Sequence, residues 1–286
     1  MKKILITGAN SYIGVSFENY IKQRYPESFI VHTIDMTNSD WENTNFSEYD
    51  VIFHVAGIAH RKETKENKQL YYSVNYGLAL KTAQKAQNEG VKQFIFLSSM
   101  SVYGVDMGVI TECTPLHPKS NYGKSKLLAE NAISQLESKD FCVTIIRPPM
   151  VYGLGCRGNF NSLIKIAEIS PVFPNINNQR SMIYIDNLSE FVKLVIDKEF
   201  SGICIPQNNE YVNTCDIAKM AMKARGKKLH LSTLLGLCVR MLFPFIGIAK
   251  KAFGNLIYDK ELENFGFEYC VVQTEDSIKK SIVSEE

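Results

Sequence analysis

Lys3-Ile4-Leu5-Ile6-Thr7-Gly8-Ala9-Asn10-Ser11-Tyr12-Ile13-Gly14 is the stretch that decides the fold of this chain. Its apolar beginning predicts a short buried strand, and the small residues from Gly8 onward predict a tight turn into a helix. Small residues at such a turn let the backbone approach a pyrophosphate, which the N-terminus of the helix then holds. The stretch therefore favours a dinucleotide-binding turn over a turn that only reverses the chain.

Short apolar strands alternate with helices along the first half of the chain. We predict strands at residues 3–7, 29–34, 51–55, 94–97 and 142–146, and helices at about residues 14–24 and 69–89 and around Tyr122. Such alternation is typical of an α/β protein with a Rossmann-like, doubly wound parallel sheet. After residue 147 the pattern loosens. We therefore predict a dinucleotide-binding domain over residues 1–150 and a smaller C-terminal substrate lobe mainly over residues 151–286, with an approximate boundary that the chain can cross.

The composition is that of an ordinary globular protein. The chain has 286 residues, a net charge of +2 and no basic tail, so nucleic acid is not an expected partner. Its seven cysteines lack the paired spacing of a metal site or of a disulfide framework. We expect free thiols, no metal and a cytoplasmic protein.

Two apolar segments bear on membrane association. The run after Met1 ends at Thr7, which is too short for a signal peptide. Residues 231–249 are rich in apolar side chains, but Arg240 and Pro244 interrupt them, and a membrane span needs about 20 nearly uncharged residues. We predict no transmembrane span and a helix packed in the C-terminal lobe. The alternative is an amphipathic helix with weak contact to a membrane surface.

Tyr122 and Lys126 lie four positions apart in a predicted helix and so share one of its faces. At that spacing the ammonium can stabilise a phenolate and lower the tyrosine pKa from about 10 toward neutrality. A phenol with such a pKa can act as a base at physiological pH. The pair alone could be a solvated surface contact, and its interpretation depends on Ser99 upstream and on the glycine turn.

The ordered set of motifs resembles the extended short-chain dehydrogenase/reductase family, in its nucleotide-sugar epimerase/reductase branch. The motifs are Thr7-Gly8 through Gly14, His54-Val55-Ala56-Gly57, Asn75, Ser99, Tyr122 with Lys126, Arg147-Pro148-Pro149-Met150-Val151-Tyr152-Gly153 and Asn255-Leu256-Ile257-Tyr258-Asp259. Together they cover most of the chain. Ser11 departs from the family pattern, which has a glycine there, but Gly8 and Gly14 remain.

The resemblance implies a role for each matching residue. Tyr122 would be the general base and acid, Lys126 its electrostatic partner, and Ser99 a hydrogen-bond partner of the sugar hydroxyl. The implied cofactor contacts are Gly8, Ser11, Tyr12, Ile13, Gly14, Asp35, Met36, Val55, Ala56, Gly57, Asn75, Lys126 and Pro148. The implied substrate contacts are Ser99, Tyr122, Asn159 and Arg180, the last through phosphate oxygens. A second diphosphate arginine is expected, and Arg225 and Arg240 are equal candidates.

Asp35 bears on the choice between NAD and NADP. An acid at the end of the second strand accepts hydrogen bonds from the adenosine ribose and repels a 2′-phosphate, which favours NAD and leaves NADP as the alternative. Asp35 lies only 19 residues before His54, so we expect the chain to lack one strand-and-loop unit that members of the family have here. The other interpretation of Asp35 is a capping or turn residue.

The resemblance implies an NAD-dependent enzyme acting on a nucleotide sugar. We expect 4-epimerisation of a UDP-sugar, UDP-glucose/UDP-galactose or the N-acetyl form, for cell-surface polysaccharide synthesis. A 4-keto sugar-nucleotide reductase using NAD(P)H is the alternative, and a non-catalytic NAD(P)-binding regulator is a third. Met100-Ser101 stand where related dehydratases carry Asp-Glu, which speaks against dehydration.

Two smaller expectations complete the comparison with the family. The resemblance suggests a homodimer through the helices around residues 69–89 and 122–136. The loop His60-Arg61-Lys62 is either a contact of substrate or pyrophosphate or a solvated run of charge.

Overall fold

The computed structural model describes residues 1–59, 61, 63–170, 172–243, 245, 247–263 and 265–282. These residues form two compact units. Unit 1 comprises Met1–Gly104, Pro115–Pro148 and Leu188–Pro206, and unit 2 comprises Val105–Thr114, Pro149–Asn187 and Gln207–Glu286. The chain therefore passes between the units at several points, both before and after the boundary expected near residue 150.

The regular elements follow the alternation expected from the sequence in unit 1 and become shorter in unit 2. The strands are β1 (Lys2–Thr7), β2 (Phe29–Ile34), β3 (Val51–His54), β4 (Gln93–Leu97), β5 (Gly108–Ile110), β6 (Cys142–Ile146), β7 (Met150–Tyr152), β8 (Val172–Pro174), β9 (Met182–Tyr184), β10 (Gly202–Cys204), β11 (His230–Ser232) and β12 (Leu256–Tyr258). The α-helices are α1 (Tyr12–Arg24), α2 (Lys68–Tyr71), α3 (Ala79–Asn88), α4 (Asn121–Ser134), α5 (Asn159–Ile169), α6 (Ile185–Asp197), α7 (Thr214–Ala224), α8 (Thr233–Met241), α9 (Gly247–Phe253) and α10 (Thr274–Ile282).

Unit 1 is built on a parallel sheet of six strands in the order β10-β6-β4-β3-β1-β2. The chain runs from β1 outward to β2 and then returns to the other side of β1, where β3 pairs with it. Because crossovers between parallel strands are right-handed, this reversal puts helices on both faces of the sheet. The predicted doubly wound α/β fold is confirmed, and its switch point lies between β1 and β3.

The centre of the sheet is apolar on both faces, as a sheet covered by helices requires. All five residues of β4 and all four of β3 are buried. Against one face lies a cluster in which the small side chains of α3 and α4 meet large aromatic ones. This cluster includes Ala79, Ala83, Ala86, Ala129, Ile133, Trp41, Phe46, Phe94 and Phe96.

The segment between β2 and β3 is shorter than a full strand-and-helix unit. Its described residues contain one 3₁₀ helix, Ser39–Asn43, and no strand, so β2 is the edge of the sheet. This agrees with the short spacing between Asp35 and His54 in the sequence.

Helix α1 begins two residues earlier than the sequence predicts. Ser11 is its N-cap, and the Ser11 side chain accepts a hydrogen bond of 3.1 Å from the backbone N–H of Gly14. The position that holds a glycine in the family pattern therefore holds a good capping residue here.

Unit 2 combines short parallel strand pairs with helices. The pairs are β7 with β9, β8 with β11 and β5 with β12. Its interior contains a polar network in which the Tyr152 hydroxyl meets the Ser277 hydroxyl at 2.5 Å and accepts from the Asn208 amide at 3.0 Å. No helix among the described residues of either unit is long and apolar enough to cross a membrane.

Candidate active site

The turn between β1 and α1 approaches the end of β3 closely at two glycines. Gly8 has a φ of +108°, and a Cβ placed on it would come within 2.9 Å of the Ala56 backbone nitrogen. Gly14 is equally constrained, because a Cβ there would lie 3.2 Å from a Val55 methyl group. Tyr12 and Ile13 form the first turn of α1. The two retained glycines therefore allow the turn, the helix and the end of β3 to approach one another closely.

The loop after β3 is held in place by Asn75. Its side-chain oxygen accepts a hydrogen bond of 2.7 Å from the Ile58 N–H, and its amide nitrogen donates to the Ile58 carbonyl and to the Ser125 hydroxyl, each at 3.1 Å. Asn75 lies in a π-helical segment, Tyr72–Leu78, between α2 and α3, and it is fully buried. The structure therefore places Asn75 as the clamp between this loop and α4.

Lys126 projects from α4 to the ends of β3 and β4. Its Nζ donates a hydrogen bond of 2.7 Å to the Leu97 carbonyl and lies 4.5 Å from the centre of the Phe96 ring. Gly57 leaves room for this amine, because a Cβ on Gly57 would be 3.4 Å from Nζ. Burial lowers the pKa of Lys126 to about 8, and the carboxylate of Glu130 opposes that change.

Ser99 and Tyr122 meet where β4 ends and α4 begins. Ser99 caps the 3₁₀ helix Met100–Tyr103, with its hydroxyl accepting from the Ser101 N–H at 3.1 Å. Its side chain also shares a hydrogen bond with the Tyr122 phenol. Gly123 makes this approach possible, because a Cβ at that position would lie 2.5 Å from the Ser101 carbonyl oxygen.

The pKa of Tyr122 differs from the expectation based on sequence spacing. Burial raises the pKa of Tyr122, the hydrogen bond from Ser99 lowers it, and Tyr71 adds a smaller increase. The spacing argument credited Lys126 with lowering this pKa toward neutrality, and that part of it is wrong for the structure. Desolvation of the phenolate is the larger effect here.

Asp35 and Met36 follow β2 but differ in exposure. The Asp35 carboxylate is exposed and accepts two hydrogen bonds of 2.9 Å from Thr37, one from its N–H and one from its hydroxyl. The backbone bond is the main reason that the pKa of Asp35 is lowered. Met36 is buried in the apolar cluster of unit 1, so its predicted cofactor contact is restricted to its backbone.

Pro148 follows the carboxyl end of β6, as Asp35 follows the carboxyl end of β2. Its carbonyl accepts a hydrogen bond of 3.0 Å from the Met100 N–H, which ties the end of β6 to the turn that carries Ser99. Unit 1 thus gathers the predicted catalytic residues and most of the predicted cofactor residues along the carboxyl ends of its parallel strands. In open α/β sheets ligands bind at this edge, next to the switch point.

Glu63 is a residue of this site that the sequence reasoning missed. Its carboxylate accepts hydrogen bonds from the backbone N–H groups of Asn121 and Tyr122, each at 3.0 Å, and from the Asn121 amide at 2.9 Å. An anion at this position satisfies the free N–H groups of the first turn of α4 and favours the helix dipole. No local signal in the sequence links residue 63 to residue 121.

A buried ion pair behind the site was also missed. Arg147 and Glu130 are joined by hydrogen bonds of 2.7 to 3.2 Å, and the same carboxylate accepts a short bond from the Ser98 hydroxyl. Arg147 also donates to the Tyr103 hydroxyl at 3.0 Å. The four residues connect α4, the end of β6 and the turn that carries Ser99.

The predicted substrate residues Asn159 and Arg180 belong to unit 2. Asn159 is exposed at the first position of α5. Arg180 donates from Nη1 to the carbonyls of Lys251 and Gly254, at 2.7 and 3.3 Å, and no carboxylate of the described residues contributes to its pKa, which burial lowers.

The two candidates for a second diphosphate arginine differ in their contacts. Arg225 forms an ion pair with Glu168, whereas Arg240 is exposed on α8. His60 and Lys62 of the loop considered above lie outside the described residues, and Arg61 is exposed.

The residues of unit 1 fit a dinucleotide. Gly8 allows the turn to approach the backbone at the end of β3, and Gly57 exposes backbone beside the Lys126 amine. When bound, NAD would supply a hydride acceptor and donor. Gly8, Ser11 and Gly14 would hold it at the turn, Asp35 at the edge strand, and Lys126 near the end of β3.

Comparisons with known proteins agree with this arrangement. Residues 4–204 match the family model described as "NAD dependent epimerase/dehydratase family". The UDP-glucose 4-epimerase of Vibrio cholerae is 30% identical over 247 residues, which cover 76% of this chain and 74% of the relative. The N-acetyl-alpha-D-glucosaminyl-diphospho-ditrans,octacis-undecaprenol 4-epimerase of Escherichia coli O157:H7 is 29% identical over 217 residues, which cover 70% of this chain and 64% of that protein.

Among solved structures, the chain resembles a dTDP-4-dehydrorhamnose reductase from Clostridium acetobutylicum. The TM-score is 0.76, the sequence identity is 20%, and 98% of each chain is covered. This similarity concerns the fold. Taken with the sequence relatives, it confirms the predicted resemblance to nucleotide-sugar epimerases and reductases. The chain belongs to the NAD dependent epimerase/dehydratase family, and its predicted cofactor, NAD, is the cofactor of that family.

Proposed function

We propose that this chain is an NAD-dependent 4-epimerase of a UDP-sugar, UDP-glucose/UDP-galactose or the N-acetyl form, that serves cell-surface polysaccharide synthesis. The observation that carries the proposal is the meeting of Ser99, Tyr122 and Lys126 at the ends of β4 and α4 in unit 1. The 4-epimerase names of the two relatives support it, as does the family.

In this proposal the Tyr122 phenolate removes the proton from the C4 hydroxyl of the sugar, and its phenol later returns that proton. Ser99 already shares a hydrogen bond with the phenol, so its hydroxyl can bridge Tyr122 and the sugar oxygen. Burial raises the pKa of Tyr122, so the proposal requires the positive charges of the Lys126 ammonium and of the oxidised nicotinamide to favour the phenolate in the loaded enzyme. Bound NAD would supply the acceptor and the donor of the C4 hydride, so the reaction would involve no net redox change.

Asn159 and Arg180 are the proposed contacts of the nucleotide diphosphate. The Nη1 atom of Arg180 donates hydrogen bonds to two backbone carbonyls, which hold the guanidinium in place. Arg180 has no carboxylate partner among the described residues. A fixed, unpaired guanidinium suits bidentate contact with phosphate oxygens. We further propose a cytoplasmic homodimer formed through α2, α3 and α4.

The second candidate is a 4-keto sugar-nucleotide reductase. It is favoured by the similarity in fold to the dTDP-4-dehydrorhamnose reductase. Ser99, Tyr122 and Lys126 would serve this reaction equally well, because both reactions share the hydride-transfer step at C4. The reductase would release the oxidised cofactor after each turnover.

Purified protein supplied with NAD and UDP-glucose or its N-acetyl form should yield the C4 epimer, without net NADH formation. A second assay would supply the undecaprenol-linked substrate in the name of the E. coli relative. Tyr122→Phe should lower the rate at least ~100-fold, the typical contribution of a positioned base, whereas Tyr49→Phe should not. Oxidation of NADPH by a 4-keto sugar nucleotide, without interconversion of either substrate, would replace the epimerase by the reductase.

A further inference from the structure

Unit 2 carries a helix with an exposed apolar face. Along α8, Leu234, Leu237 and Met241 are 73%, 58% and 67% exposed, and Phe245 just beyond the helix is 83% exposed. Leu234, Leu237 and Met241 are spaced at i, i+3 and i+7, so they form one stripe on the helix. Residues 231–249 contain the expected helix, α8, and this stripe is its exposed side.

The opposite side of α8 anchors the helix to unit 2. Gly236 is buried against the backbone of Asn175, where a Cβ would come within 2.2 Å of the carbonyl oxygen. Ser232 caps the helix by accepting from the Leu235 N–H at 3.2 Å. The orientation of α8 is thus fixed by backbone contact, and its apolar stripe stays on the outer side.

The stretch of sequence that carries this stripe has charges of one sign. Residues 221–258 contain seven lysines and arginines and no aspartate or glutamate, although the whole chain has 32 basic and 30 acidic residues. Two of these cations are paired within unit 2, Lys223 with Glu275 and Arg225 with Glu168. Five others form no ion pair with the residues that the structure describes: Lys227, Lys228, Arg240, Lys250 and Lys251.

We propose that this surface, Leu234, Leu237, Met241 and Phe245 with the five unpaired cations, docks on the anionic face of a lipid bilayer. An apolar stripe flanked by lysine and arginine is the composition of helices that lie in the membrane interface, with the apolar side chains among the acyl chains and the cations at the phosphates. The helix is too short to span a bilayer, so the contact is peripheral.

The charge also argues against a second copy of the chain as the occupant. In a symmetric dimer the same patch meets itself, so the cations of one copy would be brought near the cations of the other. Like charges brought together at an interface disfavour association, whereas an anionic lipid surface attracts every one of them.

Vesicle co-sedimentation of the full chain tests the proposal without any substrate. We expect binding to vesicles of phosphatidylcholine with phosphatidylglycerol, and at least ~10-fold weaker binding to phosphatidylcholine alone or at high salt. The double variant Leu237→Ser/Phe245→Ser should lose binding because its apolar anchors are gone. Lys250→Gln/Lys251→Gln should weaken it on anionic vesicles only.

Matched controls separate docking from general effects of mutation. Leu154→Ser alters a leucine of similar exposure, 51%, and Lys139→Gln/Lys279→Gln removes two exposed lysines elsewhere. Both should bind like the wild type, and all variants should keep its thermal unfolding midpoint. Absence of vesicle binding, equal loss in controls and patch variants, or a dimer that dissociates in Leu237→Ser/Phe245→Ser without lipid binding would overturn the proposal.

Discussion

The carboxylate of Glu63 accepts a hydrogen bond of 3.0 Å from the backbone N–H of Tyr122, in the first turn of the helix that carries the proposed base. The same carboxylate accepts from Asn121 as well. A loop that follows β3 thereby fixes the N-terminus of α4, and with it the position of Tyr122 relative to Ser99. Glu63 touches the helix backbone, so it is a positioning residue rather than a catalytic one.

Glu63→Gln should weaken this clamp. The amide retains one acceptor but loses the charge that favours the helix N-terminus, so we expect a loss of ~1–2 kcal/mol in the free energy of unfolding. The turnover number should fall several-fold with little change in KM, because Tyr122 is less well placed. Glu66→Gln is the matched control, since Glu66 is exposed in the same loop and its carboxylate, among the described residues, bonds to nearby Thr64. Equal effects in the two variants would contradict the positioning role.

Asn75 gives a second prediction about positioning. Asn75→Ala removes three hydrogen bonds of a buried side chain and leaves the partly buried N–H and carbonyl of Ile58 without their partner. Unsatisfied buried groups cost ~1–3 kcal/mol each, so we expect the free energy of unfolding to fall by ~2–4 kcal/mol. Urea unfolding would measure it. Asn88→Ala, at an exposed position near the end of α3, should change stability by less than ~0.5 kcal/mol.

Several parts of this arrangement were accessible from the sequence. The glycine turn, the strands β1 to β4 and β6, and the pair Tyr122 and Lys126 follow from local patterns of apolar, small and helix-forming residues. Ser11 shows the limit, because a family pattern predicts a substituted glycine while the structure shows an N-cap.

Contacts between distant residues were not accessible in this way. Glu63 is 59 residues from Tyr122, and Glu130 is 32 residues from Ser98. Neither pair has a periodic signal, since only the folded topology brings them together. The pKa of Tyr122 could not be predicted either, because it depends on burial, which raises it, and not on helical spacing alone.

His54 predicts a pH dependence of stability. The side chain is fully buried between Phe94 and Phe96, its Nδ1 lies 2.8 Å from the Thr7 hydroxyl, and its Nε2 has no partner among the described residues. Burial, with a smaller effect of Lys126, lowers the pKa of His54 to about 3. Because the folded pKa lies below the unfolded one, the stabilising contribution is present above about pH 6.5 and is lost as pH falls toward the folded pKa.

As pH falls from 7 to 5, His54 alone should lower the free energy of unfolding by ~2 kcal/mol. His54→Gln, which cannot gain the proton, should show a correspondingly smaller decrease over that range, even if it is less stable at pH 7. Urea unfolding at the two pH values would measure both slopes. His32→Gln is the control, since His32 is exposed on β2. Identical slopes for His54→Gln and the wild type would show that His54 does not contribute.

Lys126 and Glu130 predict where the activity profile changes slope with pH. Burial lowers the pKa of Lys126 to about 8, and the nearby carboxylate of Glu130 acts in the opposite direction. The proposed mechanism needs the Lys126 ammonium together with the Tyr122 phenolate, and burial raises the pKa of Tyr122. Activity should therefore rise with pH as the phenolate forms and level off above the pKa of Lys126, because each further gain in phenolate is offset by loss of the ammonium. Glu130→Gln removes the charge that favours the ammonium and should shift this levelling point to lower pH. The variant also leaves Arg147 buried without its partner, which typically costs ~3–5 kcal/mol, so less folded enzyme is expected. A loss of folded enzyme scales the whole profile and leaves its levelling point unchanged, whereas an effect on Lys126 moves the levelling point. Glu137→Gln, at an exposed position beyond the end of α4, should leave both the profile and the stability unchanged.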